Sequence, residues 1–537
     1  MRICKIVLLG LMVISRAAVT QDHSRAHNEK LGTVNFVTSC SAASQTEFIR
    51  AASLLHSFEF GPAIAGFEAA LKADPSCAIA EWGIALARWA NPFAVGIRSP
   101  QQVQQGLTAV ERARAIGAKT PRERAYIDAV ANLYVNGARP QQQRVEAYRD
   151  AMGQLTKQYP DDVDAALFYA LSLSAAEDLN DKTYASRLQA VAILEPLYMK
   201  HPDHPGIAHY IIHSYDVPAL ASRALDAAKR YADIAPSAPH ALHMPSHTFT
   251  RVGLWQESID TNIESAKSAK QMKMTGEELH ASDYQMYAYL QTAQDVAAKT
   301  LLDSLPEIAS RFNPTAVGGA APPAAAFYAI AAIPARWALE RGAWADAAKL
   351  EAKPSPLPYA DALTEFARAI GAARSGDVAT ARSAVDRLET LRQRMEQMNE
   401  AYWTQQIQIQ RDGAAAWAAF AGGNRTDGIA KMRQVADAED RTEKAAVTPG
   451  PLAPARELLA EMLLESKDMR GALKEYEATL TKEPNRFRAL LGAAKAASES
   501  GEAAKARQYY TRLVEISSRA GTPARPELQA ARAAVAR

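Results

Sequence analysis

A residue pattern that recurs along the chain restricts it to stacked pairs of helices. In each copy, a small residue is followed four positions later by an aromatic or small residue, and twelve positions later by a proline. The small residue lets two helices approach closely, the residue four later fills the gap on the same face, and the proline ends the helix. The clear copies are Ala63, Phe67 and Pro75; Ala224, Ala228 and Pro236; and Ala472, Tyr476 and Pro484. Long alternating strand patterns are absent, so we predict an all-α chain.

Glycines mark the predicted turns between helices. Each of four glycines stands five positions before a small residue: Gly253 before Ser258, Gly342 before Ala347, Gly376 before Ala381 and Gly501 before Ala506. Glycine readily adopts the left-handed conformation that a tight turn after a helix requires. The repeat length is 34 residues, as from Ala472 to Ala506. This period resembles the tetratricopeptide repeat (TPR), which implies a right-handed solenoid of helical hairpins with a concave groove.

Several short sequence motifs indicate a further resemblance, to a protein family. They read LHSF at 55–58, DPSC at 74–77, WG at 82–83, HPGIAHY at 204–210, HALHMPSH at 240–247 and IPAR at 333–336. Together they resemble a family of exported bacterial TPR proteins, over roughly residues 35–350. The resemblance implies the fold and the compartment, and it brings no particular activity with it.

The amino terminus has the layout of a secretory signal. Residues 1–5 include two basic side chains, residues 6–14 are an apolar run too short to span a bilayer, and small residues follow. We expect a cleaved signal peptide at 1–21, a periplasmic or secreted mature chain and no membrane span. Cys40 and Cys77 flank the first predicted hairpin. An oxidising compartment would favour a disulfide between them; two separate buried thiols are the alternative.

The charge balance limits the kinds of partner that the chain can attract, and its Gly/Pro-rich stretches suggest where domains divide. Lys plus Arg number 61 and Asp plus Glu 59, so no broad electrostatic attraction to nucleic acid or an anionic membrane is expected. Gly/Pro-rich stretches at 313–324 and 447–454 interrupt the helical pattern. We predict a TPR-like array at 22–312, a middle helical repeat segment at 313–446 and a carboxy-terminal TPR pair at 447–537. Alternatively, both stretches are loops in one superhelix.

Histidines concentrate in one part of the chain. Eight of the 11 lie between positions 201 and 280. His209 and His213 are four apart, as are His243 and His247, so each pair shares a helical face. The two pairs are 34 residues apart and hold equivalent positions in successive repeats. Because adjacent helices pack about 8–10 Å apart, we predict that these four imidazoles bind one tetrahedral zinc or copper ion in the groove.

Other polar residues share the predicted groove. His240 and His280 are expected to line it as ligand-binding positions. We also expect four further groove residues, which are candidate catalytic groups: Asp216, Arg251, Asp283 and Tyr287. A carboxylate there could orient a liganding imidazole or act as a general base for metal-bound water. His201 and His204 precede a helix and are expected to be solvated, whereas His56 faces the groove from the first repeat.

Three functions are compatible with this pattern. The first is an exported scaffold that binds a protein, a peptide or a small ligand in its groove and also has a metal site. The second is a zinc- or copper-dependent enzyme with its active site around residues 205–290. The third is structural, in which the histidines only join two hairpins. Several enzyme classes are disfavoured, because His-Glu-x-x-His, Cys-x2-Cys and Gly-x-Ser-x-Gly motifs are absent.

Overall fold

The structure is a computed structural model that describes residues 29–135, 139–178 and 181–536. Across these ranges the chain is helical and contains no strand, which confirms the prediction of an all-α fold. None of the helices in the described ranges is both long and apolar enough to cross a membrane. The predicted signal peptide at 1–21 lies outside the described residues.

The helices are numbered in chain order. They are α1 Ala42–His56, α2 Phe60–Ala73, α3 Ala78–Trp89, α4 Pro100–Ile116, α5 Pro121–Ala131, α6 Gln141–Gln158, α7 Val163–Ala175, α8 Ala185–Lys200, α9 Pro205–Ser214, α10 Leu225–Ile234, α11 Pro239–His243, α12 Pro245–Arg251, α13 Trp255–Gln271, α14 Thr275–Gln291, α15 Asp295–Ser310, α16 Pro323–Glu340, α17 Trp344–Ala348, α18 Pro358–Arg374, α19 Val378–Gln397, α20 Ala401–Ala421, α21 Arg425–Asp440, α22 Ala455–Glu465, α23 Met469–Lys482, α24 Phe487–Glu499, α25 Ala503–Ile516 and α26 Pro526–Ala536. A short 3-10 helix, Ala221–Ala224, precedes α10.

Consecutive helices pack against each other as hairpins. Examples are α1 with α2, α13 with α14, α18 with α19, α22 with α23 and α24 with α25. The four predicted turn glycines all have positive φ: 71° at Gly253, 65° at Gly342, 84° at Gly376 and 85° at Gly501. This backbone region costs a residue with a Cβ atom strain that glycine avoids. The helical-hairpin prediction is therefore confirmed, turn by turn, at these positions.

The first hairpins pack around an aromatic core. Phe36 contacts Phe48, Trp82 and Tyr126 with ring centroids 5.1–5.4 Å apart, and Phe67 packs on Phe48 at 5.2 Å. A disulfide joins Cys40 to Cys77. It links the residue pair that the sequence singled out, tying the segment before α1 to the start of α3.

Two Gly/Pro-rich stretches form loops that fold back over the amino-terminal helices. In the loop between α15 and α16, the carbonyl of Gly318 accepts a hydrogen bond from the Gly61 N–H at 2.8 Å. In the loop between α21 and α22, at 441–454, Lys444 Nζ donates to Asp216 Oδ2 at 3.3 Å. The carboxy-terminal repeats close the structure further, because Trp255 Nε1 donates to the Asn485 carbonyl at 2.9 Å. The predicted groove is therefore covered where the histidines lie.

Two helix-interior glycines predict opposite effects of the same substitution. A Cβ atom on Gly83 in α3 would lie 2.4 Å from the Phe67 ring, whereas one on Gly413 in α20 would lie 3.6 Å from Val435. We expect Gly83→Ala to lower the free energy of unfolding by about 1–3 kcal/mol through overpacking. Gly413→Ala should raise it by about 0.5–1 kcal/mol, because alanine is the better helix former. Urea denaturation of both variants measures these changes. If both substitutions change the free energy of unfolding in the same direction, the prediction is wrong.

Candidate metal centre

Three neighbouring helical units supply six histidines to one cluster. They are His209 and His213 from α9; His240, His243 and His247 from α11 and α12; and His280 from α14. Pro245 separates α11 from α12, yet Met244 keeps helical dihedrals of φ −55° and ψ −35°. His243 and His247 therefore stay on one face, with ring centroids 5.0 Å apart.

The six rings form a continuous buried group. Neighbouring centroids are 4.8 Å apart for His209–His213, 5.0 Å for His209–His240, 5.9 Å for His240–His243 and 4.5 Å for His243–His280. None of the six residues is more than 5% exposed. These histidines are therefore inside the protein and do not line an open groove.

The ring nitrogens divide into two sets of three. In triad A, consisting of His209, His213 and His240, one nitrogen from each ring lies within 4.8 Å of the others; the same holds in triad B, consisting of His243, His247 and His280. The sequence analysis instead grouped His209 and His213 with His243 and His247. The structure groups them differently because His240 lies one turn before His243 and meets α9, while α14 brings His280 to the other pair.

Hydrogen bonds define the tautomers of two rings in triad B. His243 Nδ1 lies 2.6 Å from Asn262 Oδ1, and the Asn262 amide is oriented because its Nδ2 donates to the Ser258 carbonyl at 2.7 Å. His247 Nδ1 lies 2.9 Å from Asp216 Oδ2. Both oxygens accept hydrogen bonds, so each Nδ1 carries the proton and each Nε2 carries a lone pair.

These two lone pairs point at each other. His243 Nε2 and His247 Nε2 are 3.1 Å apart. Two neutral acceptors at this distance repel unless a cation lies between them. A metal ion with bonds of about 2.0–2.1 Å places two neighbouring imidazole nitrogens about 2.9–3.4 Å apart, for bond angles from a right angle to tetrahedral. This pair of nitrogens therefore has the spacing and protonation of two ligands to one metal ion, while one nitrogen of each ring in triad B, including His280, lies within 4.8 Å of the others.

Triad A has one oriented ring and two rings with unused nitrogens. His209 Nδ1 donates to the His56 carbonyl at 2.6 Å, which leaves its Nε2 lone pair 3.2 Å from His240 Nε2. His240 Nδ1 and His213 Nε2 are buried and have no hydrogen-bond partner among the described residues. Buried imidazole nitrogens without partners are costly, and a bound metal would satisfy them.

Burial keeps the rings neutral. It lowers the pKa of His209 and of His280 to about 3 and lowers the pKa of His243 well below the usual value. Protonated imidazoles are therefore disfavoured, so a proton is a poor candidate for the cation between His243 and His247. Neutral imidazole is also the form that binds metals.

Charged groups surround triad B more closely than triad A. Asp216 accepts from Arg251 Nε at 2.8 Å as well as from His247. Although burial raises the pKa of Asp216, the charges of Lys444 and Arg251 outweigh it and bring that pKa well below the usual value. The ionised Asp216 thus orients His247 in the manner of a carboxylate that supports a metal ligand.

Three neighbours of triad B escaped the sequence analysis. Asn262 orients His243, and the Tyr284 hydroxyl lies 3.3 Å from His247 Nε2. Lys444 reaches Asp216 from the loop at 441–454, and burial lowers the pKa of its ammonium to about 8. Tyr284 could have been found, since it lies one turn after His280 on α14. Nothing local in the sequence points to Lys444, which is 228 residues from its partner.

Asp283 and Tyr287 form hydrogen bonds with arginines rather than with the histidines. Asp283 Oδ1 accepts from Arg336 Nε at 2.8 Å, and the Tyr287 hydroxyl accepts from Arg486 NH1 at 3.1 Å. Both arginines are fully buried. Of the four candidate catalytic residues, the structure therefore places Asp216 and Arg251 beside triad B and uses Asp283 and Tyr287 to join α14 to later helices.

A third cluster, made of His56, Asp164 and His204, has a different hydrogen-bonding pattern. His204 Nδ1 accepts from the Gly206 N–H at 3.2 Å, so its Nε2 carries the proton and faces Asp164 Oδ1 at 3.5 Å. His56 Nε2 lies 2.8 Å from the same oxygen. The His56 N–H donates to the carboxylate, whereas His204 Nε2 is buried and makes no hydrogen bond to a described residue; the carboxylate between the two rings favours a hydrogen-bonded relay over a metal site. The expectation that His204 is solvated was wrong, because it caps α9 and is 5% exposed; His201 is exposed as expected.

Comparison with known proteins gives a structural similarity and no sequence-level match. No protein-family model matches the sequence, and no curated protein matches it. Among solved structures, the TPR domain of P58(IPK) is similar to 86% of this chain and 99% of its own, with 12% identity and a TM-score of 0.23.

The depressed histidine pKa values predict acid sensitivity of the metal-free protein. A buried histidine with a pKa of about 3 in the folded state, as for His280, takes up its proton more readily when unfolded, with a pKa of about 6.5. Its contribution to stability is complete above pH 6.5 and is lost as the pH falls towards 3. At pH 5.5 the loss is about 1.4 kcal/mol per such histidine.

Urea denaturation at pH 7.5 and pH 5.5 in the presence of a chelator measures this loss. His280→Gln should reduce the difference in unfolding free energy between the two pH values by about 1.4 kcal/mol. His201→Gln, at an exposed histidine, is the matched control and should leave the difference unchanged. Equal pH dependence in the two variants would contradict the interpretation.

Proposed function

We propose that this protein is an exported, TPR-like helical protein whose buried histidine cluster binds transition-metal ions. The observation that supports this most strongly is the pair of Nε2 lone pairs in triad B, 3.1 Å apart, with both tautomers defined by Asn262 and Asp216. A merely structural histidine would be expected to pair its lone pair with a proton, as His56 does with the Tyr210 hydroxyl at 2.9 Å.

Triad B is the primary site and triad A the second one. Three imidazoles suit zinc, copper, iron or nickel, and zinc or copper is our proposal. Triad B has the ionised Asp216 against one of its ligands, where it orients His247, and Arg251 and Lys444 share that carboxylate. Triad A has aromatic neighbours instead: Phe58 lies 4.3 Å from His209 and Phe93 lies 4.2 Å from His213, between ring centroids. These neighbours favour an ion of lower charge, such as copper(I).

Two alternatives keep the same fold. If triad B leaves a coordination position open, the centre is that of a metal-dependent enzyme. The Tyr284 hydroxyl, 3.3 Å from His247 Nε2, is the residue nearest to such a position. A protein or peptide partner would bind to the outer helical surface, because loops cover the cluster. The predicted signal peptide and the Cys40–Cys77 disulfide support export to an oxidising compartment.

Metal analysis of the untagged protein tests the proposal directly. Purified without chelators or an affinity tag, the protein should contain about two equivalents of metal, or take them up on dialysis against zinc or copper(I). The double variant His243→Ala/His247→Ala should lose the triad B ion, and His209→Ala/His240→Ala should lose the other. His201→Ala, which removes an exposed histidine, is the control. Protein that neither contains nor takes up metal would refute the proposal, and a fall in melting temperature without metal loss would support the structural alternative.

A second variant tests the orientation of the ligand. Asn262→Leu removes the acceptor for the His243 Nδ1 proton but keeps the side-chain size. We expect the metal affinity of triad B to fall about 10- to 100-fold, as is typical when a partner of a liganding histidine is lost. Competition with a colorimetric chelator measures it. Asn424→Leu, on the exposed turn before α21, is the control; an unchanged affinity for Asn262→Leu would contradict the assigned tautomer.

A further inference from the structure

A cavity in the carboxy-terminal half shares residues with the surroundings of triad B. It lies between α18, α20, α21, α22 and α23 and has a free volume of about 90 Å³. Lys444 and Thr448 of the loop at 441–454 line it. The same two residues face the histidine side, because Lys444 donates to Asp216 and the Thr448 carbonyl accepts from the Tyr284 hydroxyl at 3.2 Å. The loop is thus a wall common to the cavity and the cluster.

One end of the cavity contains two buried cations with unused donors. Lys444 is 7% exposed and Arg251 4% exposed, and both line the cavity. Lys444 has three N–H donors and makes one hydrogen bond, to Asp216. Arg251 uses Nε and NH2 on Asp216, while its NH1 makes no hydrogen bond to a described residue. Both cations donate to Asp216. Although burial lowers the pKa of Arg251, the charges of Asp216, Glu443 and Glu483 raise it, so the anion site consists of the N–H donors that make no hydrogen bond rather than of unbalanced charge.

Three more carboxylates line the cavity, and each already accepts a hydrogen bond. Asp440 Oδ2 accepts from Arg456 Nε at 2.7 Å. Glu439 Oε2 accepts from the Ala455 N–H at 2.8 Å, and Glu483 Oε2 accepts from the Tyr287 hydroxyl at 3.4 Å. They limit the site to an anion of low charge, since a highly charged ligand such as a polyphosphate would be repelled.

Aromatic side chains also line the cavity. Tyr359 and Trp403 stack with ring centroids 3.9 Å apart and an interplanar angle of 10°. Phe366 lines the cavity as well. On α20, Gln406 Nε2 and Gln410 Oε1 are one turn apart, buried and without hydrogen-bond partners among the described residues, and both residues line the cavity. An aromatic body with one or two polar atoms fits such a surface.

We propose that this cavity binds a small aromatic carboxylate, with its ring against Tyr359 and Trp403 and its carboxylate on Lys444 and Arg251. Bound there, its carboxylate would lie next to Asp216, the residue that orients His247. The inference rests on the proposed function only for this link to a metal, since the cations and the aromatic side chains are present without one.

Benzoate is the probe, and benzamide is its neutral counterpart. Titration followed by calorimetry and by tryptophan fluorescence is done on metal-free and on metal-loaded protein. We expect benzoate to bind both forms at least 10-fold more tightly than benzamide. Failure of benzoate to bind either form at millimolar concentration, or equal affinities for the two compounds, would overturn the proposal. Benzoate binding by a protein that takes up no metal would refute only the metal centre.

Variants at Lys444 distinguish an effect of its positive charge on benzoate binding from an effect on folding. Lys444→Met should weaken benzoate binding at least 10-fold, whereas Lys444→Arg keeps the charge and should weaken it less than about threefold. Lys431→Met removes an exposed lysine of α21 and should have no effect. If Lys444→Met does not fold, as judged by circular dichroism, Gln406→Leu takes its place with the exposed Gln405→Leu as control. Unchanged benzoate affinity in the folded Lys444→Met, or in Gln406→Leu when it is used instead, would overturn the proposal.

Discussion

The structure depends on the burial of six uncharged imidazoles in the middle of a helical stack. A buried ring nitrogen without a partner is costly, so the surrounding helices must supply acceptors on one side of each ring. Asp216, Asn262 and the His56 carbonyl do so for His247, His243 and His209. Each acceptor fixes a proton on Nδ1 and turns Nε2 inward. The arrangement brings the Nε2 lone pairs of these three rings close together in a buried part of the protein.

Buried arginines close the stack around this region. Arg336 pairs with Asp283 at 2.8 Å, and Arg486 pairs with Glu457 at 2.8 Å. Losing one member of a buried pair leaves an uncompensated charge and is strongly destabilising. Arg336 joins α16 to α14, and Arg486, which also donates to the Tyr287 hydroxyl at 3.1 Å, joins the carboxy-terminal repeats to α14. These contacts explain why a fold built from locally packing hairpins here encloses its own inner surface.

The repeat period was enough to predict the hairpins and their turn glycines, because small-residue contacts and left-handed turns are local requirements. It also predicted that His209 and His213 share a face, and that His243 and His247 do so one repeat later. The division into triads was not predictable, since it depends on which ring of the next helix is closest. Lys444 and Asn262 were missed for a similar reason: their roles arise from contacts between distant segments, and neither residue type marks a metal site.

The loop at 441–454 separates the histidines from solvent, and this has a kinetic consequence. If triad B holds an ion as proposed, an ion that leaves on this side has to displace the segment that includes Lys444 and Thr448, so exchange on this route is controlled by the opening of that segment. Release to a strong chelator would then follow a single rate that does not increase with chelator concentration. Such a centre would retain its ion for long periods even at modest affinity, which suits a protein working where free metal is scarce.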